Sequence, residues 1–177
     1  MILTTPQGPV SEELIWRSLT ISIHILARFS AKQIIFLTPL YFGIAHVHHL
    51  YEFRITNPGT PLFVAVARSL FQFTYTSLFG FFAAFVFLRT GNVYPAILTH
   101  TFCNWVGLPR FYGRVGVQAG EPISPPSAGE SQGDESPLQD KGIIWTVIYY
   151  IILVAGAVGF YKQLFPLTES SHALMAV

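Results

Sequence analysis

Five long apolar stretches, each interrupted by only a few polar residues, alternate with short polar joints along the chain. They cover approximately residues 10–29, 34–51, 61–88, 93–106 and 143–165. Crossing the hydrocarbon core takes about 20 apolar helical residues, with every backbone group hydrogen-bonded inside the segment because lipid offers no partner. The pattern therefore predicts an all-α fold, a polytopic transmembrane helix bundle of about five hydrophobic helices. One transmembrane domain over residues 1–177 is expected, with a polar loop inside it at 112–141.

Local signals refine each stretch. Ser11 is a plausible N-cap, with Glu12 and Glu13 in the first turn where a helix start favours acids. Pro39 predicts a kink in the second stretch. The third is rich in Phe, Gly and Ala, which suits close helix packing in a membrane, and Arg68 near its start is expected to snorkel or pair. The fourth follows the turn signal Gly91-Asn92 and is short for a full span. The fifth has no ionisable residue before Lys162, so it reads as a lipid-facing wall without a catalytic role. Residues 112–141 hold Glu121, Pro122, Pro125, Pro126, Glu130, Asp134, Glu135 and Pro137, too polar for a core, and are expected to form a disordered extramembrane loop.

Composition agrees with a membrane setting. Of the 177 residues 51% are hydrophobic and 11% charged, against about a quarter charged in soluble domains. Ten Lys and Arg nearly balance nine Asp and Glu, so no basic field exists to attract nucleic acid. A single cysteine, Cys103, excludes an internal disulfide and a Cys-based zinc site. The chain opens Met-Ile-Leu-Thr-Thr-Pro-Gln-Gly-Pro, which lacks the basic and apolar regions of a signal peptide. Orientation stays open: if all five stretches span, Arg28, Lys32, Arg89 and Lys162 oppose Arg54, Arg110, Arg114 and Lys141.

Ionisable groups at membrane depth are costly and usually line a cavity or pair with one another. Three polar clusters interrupt the apolar stretches. In Glu12-Glu13-Leu14-Ile15-Trp16-Arg17, a helix advancing about 100° per residue puts Glu13 and Arg17 about 40° apart and Glu12 about 140° from Arg17. Glu13 is thus expected to pair with Arg17, leaving Glu12 to face a cavity as a candidate general base; the bland alternative is an ordinary helix start with an exposed ion pair. In Phe42-Gly43-Ile44-Ala45-His46-Val47-His48-His49, His46 and His49 share a face while His48 projects almost oppositely. His46 is the favoured functional residue, beside the small Gly43 and Ala45; His48 and His49 read as interfacial. In His100-Thr101-Phe102-Cys103-Asn104, the spacing of four lets an imidazole and a carboxamide converge on one oxygen, as an oxyanion site needs. A polar pair bridging helices is the alternative there.

In this order, the clusters resemble the E-E-x-x-x-R, F-x-x-x-H and H-x-x-x-N motifs of the CAAX protease and bacteriocin-processing membrane family. The strings Gly8-Pro9-Val10-Ser11-Glu12-Glu13, Phe42 to His49 and Leu88-Arg89-Thr90-Gly91 are closest to its eukaryotic type II CAAX prenyl endopeptidases, and the resemblance runs from about Gly8 to Pro109. It implies a glutamate-dependent intramembrane endopeptidase of the endoplasmic reticulum that removes the last three residues of prenylated C-a-a-X proteins. Carried over, Glu12 and His46 activate a water, His100 and Asn104 steady the oxyanion, and Glu13 with Arg17 supports them. Neither a metal nor a cofactor is implied. Family members carry further helices ahead of the Glu-Glu motif, so the chain is expected to be N-terminally shortened.

Three other readings compete. A zinc protease could use His46, His49 or His100 with a glutamate, though no H-E-x-x-H helix is present. A thiol mechanism could use Cys103 with His100 and Asn104, although all three crowd onto one turn and Cys103 reads equally as a small buried hydrophobe. A shortened membrane protein without catalysis is the non-enzymatic alternative.

Overall fold

The computed structural model describes residues 7–115 and 142–177, all of whose regular structure is helical. They divide into two compact units, the first comprising the described residues up to Gly107 together with Thr168–Val177, the second Leu108–Leu167.

The first unit begins with α1 (Gln7–Glu13), a π-helical segment (Leu14–Leu19) and α2 (Thr20–Leu26). Ser11 does not cap this helix. It lies inside α1, and its hydroxyl donates to the Gly8 carbonyl at 3.0 Å, the local back-bond that a serine makes once a helix has already begun. Arg28, at φ 64°, turns the chain out of α2. The next helix, α3 (Ala31–Ala45), starts earlier than its apolar run because Ser30 and Gln33 form a reciprocal capping box.

Pro39 lies inside α3, and the second stretch is interrupted at His46–Val47, before α4 (His48–Thr56). A long α5 (Leu62–Thr90) and a short α6 (Tyr94–Val106) follow. Gly91 ends α5 in the left-handed conformation at φ 61°, with its N–H bonded to the Phe87 carbonyl, and Asn92 accepts from the Tyr94 N–H at 3.0 Å. The Gly91-Asn92 turn signal is thereby explained.

Small residues set how closely α3 and α5 pack. A Cβ on Gly80 would lie 2.6 Å from Cβ of Pro39, and one on Gly43 would lie 2.6 Å from the Ser77 hydroxyl oxygen and 2.9 Å from the Phe73 ring. Below this contact Ile21, Ile34, Ile35, Ala84, Phe87 and Leu88 form the core, uniting α2, α3 and α5. Residues after Thr168 return to the end of α5: Leu174 N–H donates to the Leu88 carbonyl at 2.7 Å, and Arg89 Nε donates to Thr168 Oγ1 at 2.8 Å.

In the second unit α7 (Gly142–Thr168) is mostly exposed and apolar, matching the wall expected of it. The loop expected at 112–141 lies, for residues 116–141, outside the described residues. Within the first residues of that range, Val115 N–H donates to Thr146 Oγ1 at 3.0 Å and Tyr150 to the Gly113 carbonyl at 3.1 Å. Polar side chains on an otherwise apolar helix give this backbone partners that composition does not reveal.

Among the described residues three helices are long and apolar enough to cross a membrane, Ala31–Thr56, Leu62–Thr90 and Ile143–Thr168. The other two expected stretches are helical but differ in kind. The first is broken by its acidic and basic residues and its π segment, and α6 has only 13 residues. The chain is a helical membrane bundle.

Candidate active site

Glu13 and Arg17 project from the first helix into the packed interior, with side chains 0% and 2% exposed, and pair at 2.9 Å between Oε2 and Nε. The i, i+4 pairing inferred from spacing is therefore present. The π segment begins immediately after Glu13 and includes Arg17. Its closing bond runs from the Thr20 N–H to the Ile15 carbonyl, five residues back, and the Thr20 hydroxyl donates to the same oxygen at 2.9 Å. Single π turns inside α-helices are frequent at functional sites because they re-aim side chains.

The other face of Glu13 meets α6. His100 Nδ1 donates to Glu13 Oε1 at 2.7 Å, a buried bond between residues 87 positions apart. This contact fixes the ring, and its second nitrogen, Nε2, lies 3.8 Å from Oε2 of Glu12. Glu12 retains about a third of its side-chain exposure (33%), whereas Glu13 retains none. Two adjacent glutamates thus occupy opposite sides of one imidazole, one sealed in the interior and one open to an approaching molecule.

Phe42 joins the remaining groups. Its ring is 2% exposed and stands edge-on to His46 at 4.5 Å and to His100 at 6.3 Å. The Arg17 guanidinium lies over it at 5.0 Å, and Trp16 packs at 5.8 Å. Phe79 supplies a second wall, 4.8 Å from His100 and 5.8 Å from the guanidinium. Both terminal nitrogens of Arg17 are buried without a hydrogen-bond acceptor among the described residues, so the two aromatic faces offset part of the cost of enclosing its charge.

His46 ends α3, and its Nδ1 donates to the Phe42 carbonyl at 2.7 Å. That bond selects the tautomer and leaves Nε2 free to accept a proton. Asn104, one turn beyond His100 on α6, is exposed and makes none of these contacts. Cys103 is exposed as well, not the buried hydrophobe weighed from sequence. The reason is common to both: α6 is covered only at its first turns, and every residue from Phe102 to Val106 is exposed.

Among the residues selected from sequence, Glu12, Glu13, Arg17 and His100 come together directly, and His46 joins through Phe42. Phe42 and Phe79 were not singled out for the site, although Phe42 is the aromatic residue of the F-x-x-x-H string. The placement of His48 requires correction. Spacing on a continuous helix separates it from His49, but their rings lie 3.9 Å apart, and His46 is 5.8 Å from His49. The helix breaks at His46–Val47, and the His48 ring folds back to bond the Ala45 carbonyl, so the regular 100° advance does not apply there.

Comparison with known proteins identifies the family of the chain. Residues 1–106 match the family described as type II CAAX prenyl endopeptidase Rce1-like. The chain is 43% identical over 109 residues to a protein of Schizosaccharomyces pombe named probable CAAX prenyl protease 2, covering 62% of this chain and 40% of that protein. CAAX prenyl protease 2 of Arabidopsis thaliana is 32% identical over 162 residues, covering 92% of this chain and 42% of the relative. The Homo sapiens protein of that name is 38% identical over 105 residues, covering 58% and 30%. The chain thus spans less than half the length of each of these relatives, and no solved structure matches it. The match over residues 1–106 takes in all three polar clusters, and the chain belongs to the type II CAAX prenyl endopeptidase Rce1-like family.

Proposed function

We propose that this chain carries the catalytic groups of an endopeptidase of the endoplasmic reticulum membrane that releases the C-terminal tripeptide from prenylated C-a-a-X proteins. One observation carries the reading: the partly exposed Glu12 carboxylate faces His100 Nε2 at 3.8 Å, while the buried Glu13–Arg17 pair holds the opposite edge of the same ring. A carboxylate that can reach solvent, beside a fixed imidazole, is a fitting base for a water nucleophile.

In the proposed reaction a water adds to the carbonyl between the prenylated cysteine and the following residue, and its proton passes to Glu12. His46, whose free Nε2 is held by the Phe42 carbonyl bond on the other ring nitrogen, orients that water. Negative charge gathers on the carbonyl oxygen, where the Asn104 carboxamide N–H and His100, through Nε2 when the ring carries its second proton, act as donors. Glu13 keeps His100 in register and stabilises that doubly protonated ring. Collapse of the tetrahedral intermediate breaks the C–N bond, Glu12 returns its proton to the leaving amine, and the tripeptide departs. The prenylated cysteine keeps a carboxylate as the new C-terminus. The apolar surface of the helices suits a substrate whose lipid already resides in the bilayer.

The test is hydrolysis of a farnesylated C-a-a-X peptide by the chain reconstituted in lipid vesicles, read as released tripeptide. The unaltered chain is expected to cleave and Glu12→Gln to be inactive. Undiminished cleavage by Glu12→Gln would overturn the assigned base, and absence of cleavage by the unaltered chain would favour a non-catalytic membrane protein.

A further inference from the structure

We propose that the first turn of α4 is a binding site for a divalent transition ion of the zinc class, formed by His48, His49 and Glu52 and separate from the groups assigned to peptide hydrolysis. One ligand atom from each of these residues lies within 4.8 Å of the others. The spacing explains why: His48 and Glu52 are i, i+4 on one helix, His49 and Glu52 are i, i+3, and both separations bring side chains onto one face. His49 Nδ1 is already 2.8 Å from Glu52 Oε2, and the two imidazoles overlap at 3.9 Å between centroids.

The outer contact is of the kind a metal ligand needs. His48 Nδ1 donates to the Ala45 carbonyl at 2.5 Å, which fixes the ring and leaves Nε2 with its lone pair outward. Metal-binding histidines characteristically donate their second ring nitrogen to a carbonyl or carboxylate in this way. With bonds of about 2.0–2.1 Å, two ligand atoms on a tetrahedral ion sit roughly 3.3 Å apart. Closing the trio from 4.8 Å therefore takes side-chain rotation on an exposed helical turn and no movement of packed residues.

Donor chemistry decides the ion. Two imidazoles and one carboxylate suit zinc, copper or nickel, whereas calcium and magnesium prefer an all-oxygen shell. Three protein ligands leave a position for water or an external donor. The site begins two residues after His46, and the His46 and His49 rings are 5.8 Å apart, so a bound ion would hold the turn that follows a residue assigned to the reaction. It does not involve Glu12, Glu13 or His100.

The experiment is equilibrium dialysis of the detergent-purified full chain against Zn²⁺ after chelator stripping, with Co²⁺ absorption to report coordination geometry. One Zn²⁺ per chain is expected, with affinity falling at least about tenfold in His48→Ala and in Glu52→Gln, and unchanged in Glu12→Gln. No saturable uptake would overturn the proposal, as would uptake indifferent to both ligand substitutions. Loss of binding in Glu12→Gln with retention in His48→Ala would assign the ion to the hydrolytic groups and overturn it equally. Glu52 is exposed, so its variant tests the site even where a histidine substitution disturbs folding. A zinc result of either sign leaves the Glu12 hydrolysis assay independently readable.

Discussion

Glu13 and His100, 87 positions apart, meet in a buried hydrogen bond of 2.7 Å that ties the first helix to α6. It accounts for two successive glutamates having unlike environments. Glu13 has Arg17 on one oxygen and His100 on the other, whereas Glu12 faces the same imidazole from its open edge.

The two glutamates should therefore respond differently to the same substitution. Glu13→Gln leaves the enclosed Arg17 guanidinium without its counter-charge, and breaking a buried pair from one side costs about 3–5 kcal/mol. A marked fall in thermal midpoint in detergent is expected. Glu12→Gln removes a group with one side open, so the midpoint should stay close to that of the unaltered chain while prenyl-peptide cleavage, if Glu12 is the base as proposed, falls by about 10²–10⁴-fold. Parallel melting curves and cleavage assays on the two variants check this, and equal loss of stability in both would contradict it.

Phe42 should behave as a positioning residue. Its ring touches His46, His100 and the Arg17 guanidinium without offering reactive chemistry. Phe42→Ala should cost about 3–5 kcal/mol, as for other buried aromatics. Phe42→Leu keeps most of the volume and should lose turnover out of proportion to its smaller loss of stability. Its signature is a lower kcat with little change in KM, because the fault lies in the orientation of two imidazoles. A Phe42→Leu variant with normal kcat would remove this role.

Much of this was legible in the sequence because apolar runs and short-range spacings are local facts. The membrane character, the helical fold and the Glu13–Arg17 pair all follow from periodicity. The Glu13–His100 bond does not, since nothing local relates residues separated by two long helices. The His48–His49 stack was missed because a continuous helix was assumed where the chain breaks at His46–Val47. Ser11 misled for a related reason: a serine before acids is a good cap, but the helix had already started at Gln7. Asn104 shows the limit of spacing itself, which puts it near His100 on α6 without saying what covers that part of the helix.

Close packing of α3 on α5 gives a test of the scaffold. A methyl on Gly43 would collide with Ser77 Oγ at 2.6 Å and the Phe73 ring at 2.9 Å. Gly43→Ala should destabilise by about 1–3 kcal/mol, the usual cost of overpacking. Ser77→Ala alone should be neutral or stabilising, because its hydroxyl oxygen is buried with no partner among the described residues. Combining them should recover only part of the loss, since Phe73 remains in the way. A thermal-denaturation cycle over the four proteins measures this coupling, and simple additivity would show that the helices separate instead of meeting at Ser77.

The π segment permits the most demanding test of how the first helix aims its carboxylates. An i to i+5 turn holds one residue more than an α-turn, and here the extra residue lies between Glu13 and the core position Ile21. Ile21 is fully buried among Ile34, Phe87 and Leu88, so it anchors α2. Deleting Leu19, an exposed residue of the segment (58%), would let the helix run as a regular α-helix without changing the Glu13–Arg17 spacing. With Ile21 held by the core, the shortened helix reaches Glu13 through the same total turn, because the residue removed is the one the wide turn had absorbed. Glu13 would stay against His100 and Glu12 at its open edge. Cleavage and the helical far-UV circular dichroism signal should both survive the deletion, and Leu19→Ala should retain cleavage too, because the surface side chain itself contributes nothing to the aim. A deletion variant that folds but no longer cleaves would mean that the wide turn itself, and not the register of the helix on either side of it, aims the carboxylates.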